Sequence, residues 1–169
     1  MSENITPLQH AIRNPLPSAG QLQKWGGWAS FLTAAAFIIA PLIYLSGNLE
    51  TASGPFTYSL ADILYGPLWA ASLVTSFFAL RERIGSTTWR MSGALQAAFL
   101  AAGAMLLVAS IRAANRHYHL THPDLQLESS IPVLVVWTTL VAGVTAAGWH
   151  CLGWALLLLG CEGWSSGRL

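Results

Sequence analysis

Charge is what this chain has least of. Lys, Arg, Asp and Glu make up 9% of its 169 residues, where soluble domains carry roughly 25%. Hydrophobic residues account for 54%, so water is not its main solvent. The formal net charge is +1 and the basic residues are scattered between segments, which supplies no long-range field and argues against a nucleic-acid partner. Cysteine is nearly absent as well. Cys151 and Cys161 are the only two, and on one helix they stand about 15 Å apart along the axis, too far to bridge. Both read as small apolar fillers. The order of a cleavable signal peptide, basic and then apolar, is missing: the first 24 residues carry Asn4, Pro7, His10, Asn14, Pro15, Pro17 and Lys24, so the first apolar run is expected to serve as the insertion signal itself. Nor is there an HExxH pair, a Gly-rich phosphate loop, a cysteine pair at redox spacing or an evident nucleophile with its base. No residue is assigned a catalytic role.

What is present is four long uncharged runs. They comprise 25 residues between Lys24 and Glu50, 18 between Asp62 and Arg81, 21 between Arg90 and Arg112, and 33 between Glu128 and Glu162. About 20 residues of helix cross a hydrocarbon core. The expected fold class is therefore all-α, a polytopic membrane protein built as a bundle of four transmembrane helices. Residues 1–24 are expected to form a polar cytoplasmic tail and 25–164 a single membrane domain, with spans near 28–45, 59–80, 91–114 and 131–160 and a short tail at 165–169.

Local signals refine this outline. Pro41 and Pro67 predict kinks in the first and second spans, since proline cannot donate to the helical ladder. Ser59 to Asp62 fits a capping box that opens the second span. Arg81 to Arg90, with Gly85 and Ser86, reads as a tight loop. The third span is rich in small residues at four-residue spacing, Gly93, Ala97 and Ala101 beside Ala94, Ala98 and Ala102, the pattern that lets helices approach closely in lipid. It is expected to be central, with Thr139, Gly143 and Ala147 as the matching contact face of the fourth span. Pro132 suits that span's first turn. From Ile131 to Cys161 a straight helix would measure about 45 Å against a core of about 30 Å, so it must tilt, break near Gly148 or Gly153, or run on along the interface.

Orientation follows from the basic residues. With the N-terminus cytoplasmic, six lie inside (Arg13, Lys24, Arg81, Arg83, Arg90, Arg168) and two outside (Arg112, Arg116), which predicts both termini cytoplasmic, in a cell inner membrane. The same topology gathers the unusual polar residues on the outer face. Asp62, Arg112, Asn115 and Arg116 form the candidate polar rim, with Asp62 and Arg112 expected as an ion pair. Arg112 and Arg116, at i and i+4, share a helix face suited to a lipid headgroup or anionic ligand. His117, His119, His122, Asp124 and Glu128 supply ligand types for zinc, copper or iron, although their spacing matches no standard metal motif. A solvated loop that caps the bundle is the plainer reading of the same segment. His150 stands apart, deep within the fourth span. It is a candidate for a single axial bond to a haem or chlorin, for a hydrogen bond to a quinone, or for donation to a neighbouring helix.

Three functions are open on these residues. The favoured one is a non-catalytic subunit or scaffold, with the lipid bilayer and other membrane subunits or further copies of itself as partners. The second is a cofactor, metal or quinone binder that uses the outer histidines or His150. The third is a small transporter or channel with Asp62, Arg112 and the Pro67 kink in its path. No particular cofactor is singled out.

Overall fold

The computed structural model describes residues 18–47, 51–122 and 127–167, without the side chains of 19, 127–131, 133 and 134. The described residues are helical apart from short connections: α1 (Ala19–Ser46), α2 (Gly54–Ile63), a π-helical turn (Leu64–Leu68), α3 (Trp69–Ile84), α4 (Trp89–Thr121) and α5 (Leu127–Ser166). The segment from α2 through the π turn to α3 is one run from Gly54 to Ile84, and with α1, α4 and α5 it makes four helices long and apolar enough to cross a membrane. Four such spans are those of a multi-pass membrane protein.

Boundaries moved outward from those expected. A capping box does exist, but at Ser18 and Gln21, where Ser18 accepts from the Gln21 amide and the Gln21 side chain accepts from the Ser18 amide. It starts α1 within what reads as the polar tail. The expected box at Ser59 is not formed: α2 begins at Gly54 with Pro55 in its first turn, and Ser59 Oγ donates to the Pro55 carbonyl 2.8 Å away. α4 runs to Thr121, so Asn115 to Thr121 is helix and not loop. α5 is continuous through Gly148 and Gly153, with Pro132 inside it and not in its first turn. At 40 residues it extends for about 60 Å, so it outruns the hydrocarbon at one or both ends. The tight loop is present but shorter than Arg81 to Arg90: Gly85, at φ 64°, ends α3 by donating to the Arg81 carbonyl, and Thr88 caps α4.

Proline 67 acts as the pattern predicts, in a specific form. With no N–H to give, it sits in the π turn, where the widened ladder absorbs the missing bond. Gly66, in the same turn, lies so close to α4 that a Cβ there would come 2.5 Å from Ala109 Cβ. The other proline expected to kink a helix, Pro41, lies within α1, which continues to Ser46.

α4 is the central helix. It packs on α2, the π turn, α3 and α5, and buries Met91, Ala94, Leu95, Ala98, Ala101, Ala102, Met105, Val108 and Ala109, a three-and-four spacing that keeps one seam turned inward. α5 answers with Gly148, Ala155 and Leu159. A Cβ on Gly148 would meet Met105 Cε at 2.9 Å and Ala104 Cβ at 3.0 Å. Thr139, Gly143 and Ala147, the expected contact face, are instead exposed, and a Cβ on Gly143 would have nothing within 4 Å. The closest small-residue approach joins α1 to α3, where a Cβ on Gly26 would fall 2.1 Å from Ala79 Cβ. Two hydroxyl pairs line that seam, Ser30 to Ser76 and Thr33 to Ser72, each at 3.0 Å. Trp69, 2% exposed, and Phe37 both meet the Trp149 ring edge-on, at centroid distances of 6.0 and 5.3 Å, so that one indole of α5 locks onto α1 and α3.

Candidate functional site at the rim of the bundle

The C-terminal ends of α1 and α4 meet the beginning of α2 at one end of the bundle, and there the polar residues converge. Asp62 lies on the buried face of α2, 6% exposed. Arg116 Nη1 donates to its Oδ2 at 2.6 Å, and Arg112 Nε lies 3.5 Å from Oδ1, near enough to attract but without a hydrogen bond. Asp62 is thus an ion-pair partner and not a helix cap. The pairing expected with Arg112 is present, yet the tighter bond goes to Arg116, one turn further along α4.

The rest of the rim holds this cluster in place. Arg112 lays its guanidinium 4.1 Å above the Tyr44 ring, a cation–π contact that steadies the cation. Tyr44 meets Tyr58 edge-on at 5.0 Å, and Tyr58 donates its hydroxyl to the Gly47 carbonyl at 2.9 Å. That stroke fastens the end of α1 to α2. A Cβ at Gly47 would come 2.9 Å from the Tyr58 ring, so a side chain there would push the ring aside. Asn115 Oδ1 is buried without a hydrogen-bond partner among the described residues. Two cavities adjoin the cluster. A mainly apolar cleft of about 310 Å³ runs between the four spans, and a smaller cavity of about 160 Å³ lies above it at the rim; Tyr44 and Arg112 line both.

The histidines do not gather. His119 lines the smaller rim cavity with Arg112, Asn115 and Arg116, while His117 and His122 line a recess with Trp137 on another side of α4. Two residues apart on a helix, His117 and His119 point to different faces. His122 stacks on Tyr118 and shares contacts with Thr121 Oγ1 and the Tyr118 carbonyl, at 3.0 and 3.1 Å. Asp124 and the Glu128 side chain lie outside the described residues. Among the described residues no three His, Cys, Asp or Glu side chains converge as metal ligands.

His150 lies on the exposed face of α5, far from the rim. Its level can be read from its neighbours. Gly148 abuts Ala101, Ala104 and Met105, Gly93 faces Leu158, and Ser86 hydrogen-bonds Glu162. His150 therefore stands abreast of the middle of the uncharged stretch between Arg90 and Arg112. On the same outward face lie Gly143, Ala147, Gly153 and Trp154.

One polar site had no counterpart in the sequence reading. Glu162, 4% exposed near the end of α5, accepts a hydrogen bond from Ser86 in the loop between α3 and α4. The only sequence signal was that a carboxylate ends the longest uncharged run. The chain matches no protein-family model, no curated protein and no solved structure.

Proposed function

We propose that this protein acts by association within the membrane and not by turnover, as a non-catalytic subunit or scaffold whose outward α5 face receives a helix of another membrane protein or of a second copy. His150 carries this reading. An imidazole in hydrocarbon keeps a donor and an acceptor that lipid cannot satisfy, at a cost of several kcal/mol if left alone. A helix laid over Gly143, Ala147 and Gly153 would cover it, because small residues bring backbones close enough for a hydrogen bond across the contact. The small faces of α4 support the bundle itself and are no longer free for a partner.

Cysteine substituted at Gly143, in a background without Cys151 and Cys161, tests the reading in native membranes. Oxidation is expected to link it to a second copy or to one other membrane protein, whereas cysteine at Leu100, on the exposed face of α4, stays unlinked. His150→Leu should reduce the linked fraction severalfold and Gly143→Leu the co-purified fraction, and His122→Ala should leave both unchanged. A chain that runs as a monomer in mild detergent and links to nothing through position 143 overturns it. The inner-membrane location with both termini cytoplasmic is part of the same proposal, supported by the basic asymmetry.

A further inference from the structure

Among the described residues the rim cluster is electrostatically incomplete. One carboxylate, Asp62, faces two guanidinium groups. Arg116 is hydrogen-bonded to it, but Arg112 makes no hydrogen bond among the described residues and leans on the Tyr44 ring instead. Among the described residues one positive charge is left over. Beside it Asn115 Oδ1 is buried and lacks a donor among the described residues. Among the described residues the site is therefore short of one anion and one hydroxyl or N–H group.

Its shape says what could bring both. The apolar cleft below, walled by Pro41, Leu45, Val108, Val141 and Thr145, and the polar cavity above, walled by Asn115, Arg116 and His119, share Arg112 and Tyr44 as a common wall. Leu45, at 80% exposure, lies at the outer edge of the cleft, which places its mouth towards the surrounding lipid. The cleft's volume, about 310 Å³, is at the small end of the range for ligand sites, roughly 300 to 1,000 Å³, which suits one narrow chain and not a large rigid ring system.

We infer that this is a binding site for an anionic phospholipid: one acyl chain occupies the cleft between the four spans, the phosphate lies against Arg112 and Arg116, and a headgroup hydroxyl donates to Asn115 Oδ1. A zwitterionic headgroup brings its own cation to a site whose described residues already hold one too many, so phosphatidylglycerol should be selected over phosphatidylcholine. This inference stands apart from the association at α5, since the two surfaces share no residue.

Delipidated protein in mild detergent is supplied with phosphatidylglycerol, with phosphatidylcholine of the same chains, or with inorganic phosphate, and retained lipid is counted by native mass spectrometry beside the thermal midpoint. The expected result is one phosphatidylglycerol retained per chain with a raised midpoint, at least tenfold preference over phosphatidylcholine, and no rise with phosphate alone. Thr145→Phe, which fills the cleft and leaves every charge in place, should abolish retention. Asn115→Leu, at the other end of the site, gives an independent reading and should lower it severalfold, as should Arg112→Gln. Equal retention of the two lipids, undiminished retention in Asn115→Leu together with a folded Thr145→Phe, or a midpoint raised as far by phosphate as by lipid would each overturn the site as described.

Discussion

Replacing Asp62 by Asn leaves two guanidinium groups facing each other without the charge that holds them, and breaking one side of a buried pair costs about 3 kcal/mol or more. Titration with a denaturing detergent should show that loss. Arg116→Met is expected to destabilise more than Arg112→Met, because Arg116 makes the 2.6 Å hydrogen bond while Arg112 keeps a ring contact and a 3.5 Å approach; the reverse order would mean the cation–π contact dominates. His122→Ala, in an exposed residue bonded only to its own turn, should shift stability by no more than about 0.5 kcal/mol. At this scale the sequence was partly legible. A carboxylate near the hydrocarbon must find a partner, which made an arginine of the third span the natural choice. Which arginine takes the short bond depends on the rotation of α4 about its axis, and that is set by packing elsewhere.

Helices here are positioned by single missing side chains. Gly66→Ala drives a Cβ to within 2.5 Å of Ala109 Cβ and should cost about 1–3 kcal/mol as overpacking, with Ala109→Gly restoring most of it in the double variant. Gly26→Ala should behave likewise against Ala79. Gly103→Ala, with nothing within 4 Å, is the control and should be neutral. The same unfolding measurement decides all of these, and a harmless Gly66→Ala would show that the π turn yields easily. The seam between α1 and α3 escaped the sequence reading because its contacts, Gly26, Ser30 and Thr33 against Ser72, Ser76 and Ala79, do not form one even row of small residues. The row that was even, Thr139–Gly143–Ala147, turned out to face outward: spacing reveals a stripe, but not which neighbour meets it. The capping signal was misplaced for a related reason. Ser18 with Gln21 and Ser59 with Asp62 are similar as strings, and only the second lay beside an uncharged run that suggested a helix start.

For the molecule as a whole, orientation is the open quantity with the firmest physical handle. Reporter fusions at the N-terminus, near Gly85, near Pro123 and at the C-terminus should read cytoplasmic, cytoplasmic, external and cytoplasmic, given six basic residues on one side and two on the other. A cytoplasmic signal near Pro123 would invert the assignment and place the rim cluster inside. Either way Asp62, Arg112 and Arg116 stay together, since they are joined by the bundle and not by its direction.

Solvent, fold class and the number of spans came from the sequence alone, because an uncharged run of about 20 residues has one low-energy place to be, with its backbone bonds closed within a helix. The gathering of polar residues at one end followed from counting crossings, with no knowledge of packing. Tertiary structure decided what the spacing left open in azimuth: that His117 and His119 part company, that His150 faces outward, and that Glu162 finds Ser86. A repeat in sequence specifies a face. Only the neighbouring helices, through the shape of the side chains they bring, specify whether that face is turned to protein or to lipid.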